Sequence, residues 1–593
     1  MTDDPLLKQI EESTKAFSRH QAETLHSILQ HQRGVHYLQR YLPDIGDRDL
    51  PIDAATFRRS VPLSCYDDYA DYINQLADGD NYSDDHDPHH ILSVDPLVCF
   101  FYSSGTSSMK PKLIPYFDSA LSKAASLIAH QGSAAVLRRF FPPRPEVYKR
   151  LAFIYADNIT TTKGGFKVMA ASSFPLHSSS NANRSLFTSL ASPLGVILGS
   201  NVEHQVYCHL LCGLRNSDSV DAIHAPYALG LIKALRVLES KWEQLCDDLE
   251  KGFPCAEIKD VQMRDSVVEV LGGPQSDMSN RFRLIFEKKD WSGILQKIFP
   301  NVRYIRCVTT GSMKQYYSKL NYHAGEVPLI GGDYFSSECC VAINLDIKQP
   351  PDQTRFVMLP TAAYFEFLPF GSTENNVGEE TVDVSGVEVG KMYEVVVTTY
   401  RGFYRYRLGD IVRVAGFYNS SPLLEFVMLA PKISYEMVTE GDLMAAMETF
   451  QLVVRNIMSM GMAIEIMDFT SSIDFGSSPK RLKIFIELKD CDTSLQNKLQ
   501  ESIVLLRECC SALEDGLGSM YKVQRNKGDI SPLSVSILKC GSFDRNVLKA
   551  TIDVSRTGEI DLHCTHLDHL NENWRMKQTN ATIQSNDGPQ YTS

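Results

Sequence analysis

At 593 residues the chain is too long for one compact core and suits two or more domains. A composition that is 43% hydrophobic and 22% charged, with aromatics spread along the length, excludes a globally disordered chain. The net charge of -13 disfavours a general nucleic-acid or anionic-membrane surface, since both are polyanions, but leaves room for a local basic pocket for phosphates.

The N-terminal stretch MTDDPLLKQIEESTKAFSRH lacks the apolar core of a secretory signal, and no apolar run approaches the length of a membrane span. A cytoplasmic location without a membrane partner is expected. The 14 cysteines are then expected as reduced thiols, because Cys208 with Cys212, Cys339–Cys340 and Cys509–Cys510 form no paired CxxC framework. Residues 5 to 43 read as helices, with Leu25, Ile28, Leu29, Tyr37 and Leu38 at helical spacing. From 76 to 97 a polar stretch, DGDNYSDDHDPHH, predicts a surface loop. An apolar strand, Leu97 to Tyr102, then runs into SSGTSSMKPK, and an Ala-rich helix follows over 119 to 140.

The longest helix is predicted over about 226 to 250, where Ile232, Leu235, Leu238, Trp242, Leu245 and Leu249 make one apolar stripe. Between 302 and 415 short β-branched and aromatic runs (YIRCVTTG, PLIGGDYF, VMLPTAAYFEFLPF, YEVVVTTY, IVRVAGF) mark the sheet-rich part. Beyond about 425 a helix at 440 to 458, strands at MAIEIMDF and KIFIEL, a helix at 493 to 514 and a strand at VSILKC predict a small α/β layer. The fold class is therefore α/β in the mixed α+β sense: a large N-terminal domain with a β-rich core over 1–425, a hinge at 426–435, a small C-terminal domain over 436–552 and a divergent, tail-like stretch over 553–593.

Three stretches could carry chemistry. In Ser103-Ser104-Gly105-Thr106-Ser107-Ser108-Met109-Lys110-Pro111-Lys112, hydroxyls and backbone donors around a Gly can converge on an anion, though an ordinary Ser/Thr-rich turn reads the same way. The GxxxxGK[ST] spacing of a Walker loop is absent. In Asp333-Tyr334-Phe335-Ser336-Ser337-Glu338, an aromatic can pack on a purine and Glu338 offers a hard oxygen ligand, but most such segments are turns. In Tyr404-Arg405-Tyr406-Arg407-Leu408-Gly409-Asp410, the carboxylate can accept ribose hydroxyls and the arginines can hold it or a phosphate; an Arg–Asp pair stabilising a hairpin is the alternative.

The order and strand-turn placement of the three stretches resemble the auxin-responsive acyl-acid amido synthetase family of plants, relatives of firefly-luciferase-type adenylating enzymes. NVEHQVYCHLLCGL, VTTGSMKQYYSKL, YFEFLPF and YRYRLGDIVRVAGFYN are each similar to family segments, in the family's order, and the likeness covers roughly residues 10 to 550. The resemblance implies an adenylation domain followed by a small C-terminal domain that turns between half-reactions. ATP and Mg²⁺ would be the cofactors, and a small carboxylic acid (auxin-, jasmonate- or benzoate-like) and an amino acid the partners. A monomer is expected, though the sequence does not fix the oligomeric state. The resemblance places Ser103, Ser104 and Thr106 in the phosphate loop, with Ser104 and Glu338 as catalytic residues and Glu338 near the metal. Thr310, Phe335, Ser336, Ser337, Glu338, Cys339 and Cys340 would contact the nucleotide, Tyr364 would flank the adenosine, and Asp410 would hold the ribose. Leu121, Ala124, Ile128 and Gln131 of the 119–131 helix, with Ser172 and Ser173 of GGFKVMAASS, would line the acid pocket.

The chain departs from the family in places. Met109 stands where Gly is usual, Phe335 where a small residue is usual, and Leu429 where a subgroup carries Arg, with Lys432 the nearest cation. After GSFDRNVLKATI the likeness ends, and no counterpart of the family's C-terminal active-site lysine can be named; Lys549 and Lys577 lie in other contexts. A catalytically impaired nucleotide- or acid-binding homologue and an acyl-CoA ligase are the alternatives. His86, His89 and His90, and His563, Cys564, His566 and His569, read as solvated side chains, because zinc needs four convergent ligands on a scaffold. His209 reads as a satisfied core histidine, and no GxSxG or HExxH supports a hydrolase.

Overall fold

The computed structural model describes residues 4–43, 52–79, 90–103, 112–156, 159–177, 187–370, 380–430, 438, 440–457, 466–474, 479–488, 511–538 and 579–584. The described residues up to Ala430 form one compact unit and those from 438 onward a second. The larger unit carries three sheets. A mixed sheet joins Lys112–Phe117, Leu97–Ser103, Lys167–Ala170 and Thr160–Thr161. An all-parallel sheet joins Lys149–Ala152, Val220–Tyr227, Tyr304–Val308 and Leu329–Gly331. The stretch from 302 therefore splits between two sheets: Tyr304–Val308 pairs in parallel with Val220–Tyr227, and Leu329–Gly331 in parallel with Tyr304–Val308, through helical crossovers.

The third sheet is antiparallel, in the order Tyr364–Phe370, Met392–Thr398, Tyr406–Tyr418, Ser421–Leu429, Arg355–Met358, Cys340–Ile343, Tyr334–Phe335. The N-terminal segment covers it as three helices, Pro5–Lys15, Phe17–His31 and His36–Tyr41. Asp4 starts the first by accepting from the Leu6 and Leu7 amides, with Pro5 at a position that needs no donor. The second helix buries Phe17, Leu25, Ile28 and Leu29 and is stitched to the sheet by Gln21. The Gln21 amide donates to the Pro360 and Ala363 carbonyls (2.7 and 2.8 Å) and its oxygen accepts from the Phe365 amide (2.7 Å), so a buried polar side chain is fully used.

The long helix runs Ala228–Lys251 and buries Ile232, Leu235, Leu238, Leu245 and Leu249; a non-helical Lys241 (φ -121°) kinks it and Gly252 ends it at φ 80°. In the smaller unit, Ile466–Asp474, Lys480–Leu488, Ile530–Leu538 and Thr579–Gln584 form one sheet, with the Glu440–Ile457 helix supplying Leu443, Ala446, Met447 and Phe450 to its core. Thr579–Gln584 lies within the stretch read as tail-like, yet it pairs antiparallel with Ile530–Leu538. Of the 493–514 helix, only residues from 511 are described, and they are helical. The proposed hinge begins inside the Ser421–Leu429 strand, and 431–437 lie outside the described residues.

Arg405 locks the sheet to its neighbours. It adopts φ 47°, costly for a side-chain-bearing residue, and is buried. All five of its N–H groups are used: on both Glu366 oxygens (2.9 to 3.2 Å), on Thr381 (2.9 Å), and on the Arg58 and Val61 carbonyls (2.6 and 2.8 Å). Arg405→Ala strands a buried carboxylate and should cost about 3–5 kcal/mol, read as a lowered urea midpoint; an unchanged midpoint would exclude this locking role.

His209 is fully buried between the Ser192 hydroxyl (2.7 Å from Nδ1) and the Ile154 carbonyl (3.1 Å from Nε2), a core histidine as read from sequence. Burial lowers its pKa to about 4. The folded state therefore binds fewer protons than the unfolded chain, and stability should fall as pH drops from the ordinary imidazole value toward 4. His209→Gln should flatten that slope in urea titrations between pH 7 and 4.5; parallel slopes would show that other groups set it.

Candidate functional site

The site grows from the ends of short strands. Ser103 closes the Leu97–Ser103 strand, buried, and pairs in register with Lys112, which opens the return strand. Ser104, Thr106 and Met109 lie outside the described residues. Lys112 sets its ammonium 5.3 Å from the centre of the Tyr66 ring.

After Leu329–Gly331 the chain makes a tight hairpin from Tyr334–Phe335 to Cys340–Ile343. Asp333 fixes its base: one oxygen accepts from the Asn344 amide (3.0 Å), the other from Ser133 (2.6 Å) and from Arg306. Ser336 closes the turn, its amide and hydroxyl both donating to the Cys339 carbonyl (2.9 and 3.1 Å). Phe335 packs its ring 4.8 Å from that of His130. Ser337 presents its carbonyl to Arg401 (3.4 Å).

Glu338, at the crest of this turn, is only 5% exposed. Burial pushes its carboxyl above the usual range, and nearby Lys112 pulls partly against that rise. The Tyr406 hydroxyl lies against the same carboxylate, and burial together with the Glu338 charge holds it well above the ordinary phenol range.

Asp410 is buried and accepts a hydrogen bond of 2.5 Å from the Tyr334 hydroxyl. Tyr334 packs against Phe356 and Phe426, with centroids 5.8 and 6.0 Å away. Thr310, half-buried, starts the turn Gly311–Tyr316, and Gly311 has φ 59°. A Cβ at Gly311 would stand 2.9 Å from the Phe426 ring, so only glycine lets this turn lie on it. Thr310, Tyr334 and Asp410 are thus joined through one aromatic pair, while Glu338 rides on the hairpin that Tyr334 begins. Tyr364 is placed elsewhere: its ring meets Phe57 (6.2 Å), Arg58 and Asp383 are its charged neighbours, and its buried hydroxyl has no partner among the described residues.

The arginines of the third motif do not hold Asp410. Arg405 takes Glu366, and Arg407 takes Glu394 with three hydrogen bonds of 2.6 to 3.1 Å. Both are lattice struts of the sheet.

Beside Glu338 lies a small pocket. Ser122, Ala125 and Ser126 of the Ala120–Phe140 helix form one wall, Glu338 to Cys340 a second, and Ala362 with Thr399 to Arg401 a third. Leu121 and Ile128 are half-buried on the adjoining stripe of the helix, whereas Ala124 and Gln131 are exposed. Ser172 is exposed, and Ser173 is buried with its hydroxyl toward the Tyr155 carbonyl (3.4 Å). Ser122, Ser126 and Arg401 were not singled out from sequence. The available signal was an arginine directly after an apolar strand, in TTYRGFY.

No group of three or more His, Cys, Asp or Glu could hold a metal among the described residues. His86 and His89, and His563, Cys564, His566 and His569, lie outside them.

The chain matches the GH3 family N-terminal domain over residues 6–329, the central domain over 356–428 and the C-terminal domain over 442–557. It is 46% identical over 387 residues to a probable indole-3-acetic acid-amido synthetase of Oryza sativa subsp. japonica, covering 64% of this chain and 78% of that one. It is 32% identical to a jasmonoyl–L-amino acid synthetase of the same organism, over 91% of this chain and 90% of that one. A solved acyl acid amido synthetase in complex with 2,4-DB superposes with a TM-score of 0.80 at 27% identity, covering 100% of this chain and 99% of that one.

Proposed function

We infer the activity of this chain from the GH3 family, to which it belongs, and propose that it is an ATP-dependent acyl-acid amido synthetase. One observation supports the reading most directly: Glu338 and Asp410 are tied to a single hairpin, and Glu338 lines a pocket together with Ser122, Ser126 and Arg401. Asp410 would accept the ribose hydroxyls of ATP, with Tyr334 holding its far oxygen. Ser103, at the mouth of the loop that follows, would donate toward the phosphates together with Ser104 and Thr106. Thr310, Phe335 and Ser336 to Cys340 would surround the rest of the nucleotide, whereas Tyr364, turned onto Phe57, is left out of the proposed site.

In the first half-reaction a carboxylate oxygen of the acid attacks the α-phosphorus of ATP, and the bond to pyrophosphate breaks. In the second, an amino-acid amine attacks the acyl carbon, gives up a proton, and AMP leaves with the bonding electrons. Alignment in the cavity and donors aimed at the phosphates supply the catalysis. Mg²⁺, when bound, would neutralise phosphate charge, and Glu338 is the residue that would hold it. A single buried carboxylate suits Mg²⁺, which arrives with its nucleotide and is held by few protein oxygens. We place the enzyme in the cytoplasm, working as a monomer; among the described residues no helix is long and apolar enough to cross a membrane.

The acid is auxin-, jasmonate- or benzoate-like, a class drawn from the relatives. Incubation with ATP, Mg²⁺, a panel of such acids and all amino acids should release pyrophosphate and yield an amide by mass spectrometry. Binding of acid or ATP without either product would mark an impaired homologue, and a thioester formed with CoA an acyl-CoA ligase. Asp410→Ala should raise the KM for ATP by roughly 10- to 100-fold, the loss of a hydrogen bond to a charged group; unchanged ATP kinetics would remove Asp410 from the ribose.

A further inference from the structure

We propose that Arg401 binds the carboxylate of the acid substrate and presents it to the nucleotide, an assignment that rests on the acid-activating reading above. The run TTYRGFYRYR holds three arginines. Arg405 and Arg407 each grip a glutamate, but Arg401 has no carboxylate within ion-pair distance among the described residues. Its guanidinium is half-buried in the cavity wall. Nε donates to Ser122 Oγ (2.8 Å), Nη2 to Ser126 Oγ (3.3 Å) and Nη1 to the Ser337 carbonyl (3.4 Å). Three of five N–H groups are spent on neutral acceptors, and two remain.

The position is built. The Arg401 amide donates to Thr399 Oγ1 (3.1 Å), and the guanidinium lies 4.8 Å from the centre of the Tyr116 ring. Next to it, Gly402 has φ 86°, and a Cβ there would stand 2.5 Å from the Leu92 carbonyl oxygen, so the turn that aims Arg401 accepts no other residue. A fixed planar fork facing a cavity is the arrangement that recognises a carboxylate. The contact to Ser337 sets this fork one residue from Glu338, which lines the same pocket. One carboxylate oxygen held there leaves the other free to attack phosphorus, while the body of the acid extends along Ser122, Ala125 and Ser126.

The test compares binding of indole-3-acetic acid and benzoic acid with that of their primary amides, by calorimetry, in the full-length protein. The wild type should bind a substrate acid at least ~10-fold more tightly than its amide, as expected of a charge-assisted hydrogen bond. Arg401→Gln should erase that preference and raise the KM for the acid about as much, with the KM for ATP within ~2-fold of wild type. Arg401→Lys keeps the charge without the fork and should retain part of the preference. A folded Arg401→Gln protein that still favours acid over amide as wild type does would make Arg401 a strut and overturn the assignment, as would Lys behaving no better than Gln. Should wild-type protein release no pyrophosphate with any acid, the functional reading itself fails and takes this one with it.

Discussion

The hydrogen bond between Tyr334 and Asp410 is the constraint on which the site depends. In the sheet, the Tyr334–Phe335 strand is four hydrogen-bonded neighbours away from Tyr406–Tyr418. In a flat sheet at about 4.8 Å per strand that is ~19 Å, far beyond the reach of a tyrosine side chain. The sheet must therefore coil until its edge faces its own middle. Aromatic and branched side chains fill the concave side: Tyr334, Phe356, Val412, Val414 and Leu424 belong to one buried cluster, with Phe426 packed against it. Burial of that cluster drives the curl, and the hydrogen bond sets where it stops. The crest of the hairpin, with Glu338, is delivered to its place by the same closure.

Charge placement separates scaffold from site. Arg405 is buried with all five N–H groups used, while the more exposed Arg407 grips Glu394 of the adjacent strand. Such pairs contribute less to net stability than their loss would cost, and their value lies in fixing strand register and the Arg405 turn. Glu338 is the opposite case: equally buried, it has no such partner among the described residues, and its carboxyl is pushed up. A sheet selected only for stability would carry a neutral residue there. Holding a buried acid at the crest of a turn, only partly compensated by Lys112, fits the metal-bearing nucleotide proposed for it.

Long-period features were legible in the sequence because local physics decides them. The stripe from Ile232 to Leu249 needed a helix, and the Leu97 to Tyr102 run before a Ser/Gly turn needed a strand. Membership of the family was legible too, since it rests on many segments in order. What escaped was set by tertiary pairing. Nothing local shows that YIRCV joins a parallel sheet while YEVVV joins an antiparallel one, because both are short apolar runs. Nor does YRYRLGD reveal that its arginines reach Glu366 and Glu394 across strand pairs, so that the neighbouring Asp410 is held by a tyrosine 76 residues earlier. Tyr364 shows the same limit: strand alternation turns it onto Phe57, away from Phe365 and the face that carries Tyr406.

Under the proposed function, the pocket wall would decide how acids are told apart. Its lining is dominated by small side chains, Ser122, Ala125, Ser126, Cys339, Cys340 and Ala362, and those thiols are held protonated by burial, Cys340 at about 11. They serve as compact apolar surface and not as nucleophiles. A wall of small residues makes space by omission, so each position is one substitution away from closing part of it. One methylene of fit is worth only about 1–3 kcal/mol, enough to rank acids but too little to reject all but one. On that proposal, selectivity among acids of similar size would be spread over several wall positions, while the requirement that a substrate be an acid at all would fall on Arg401.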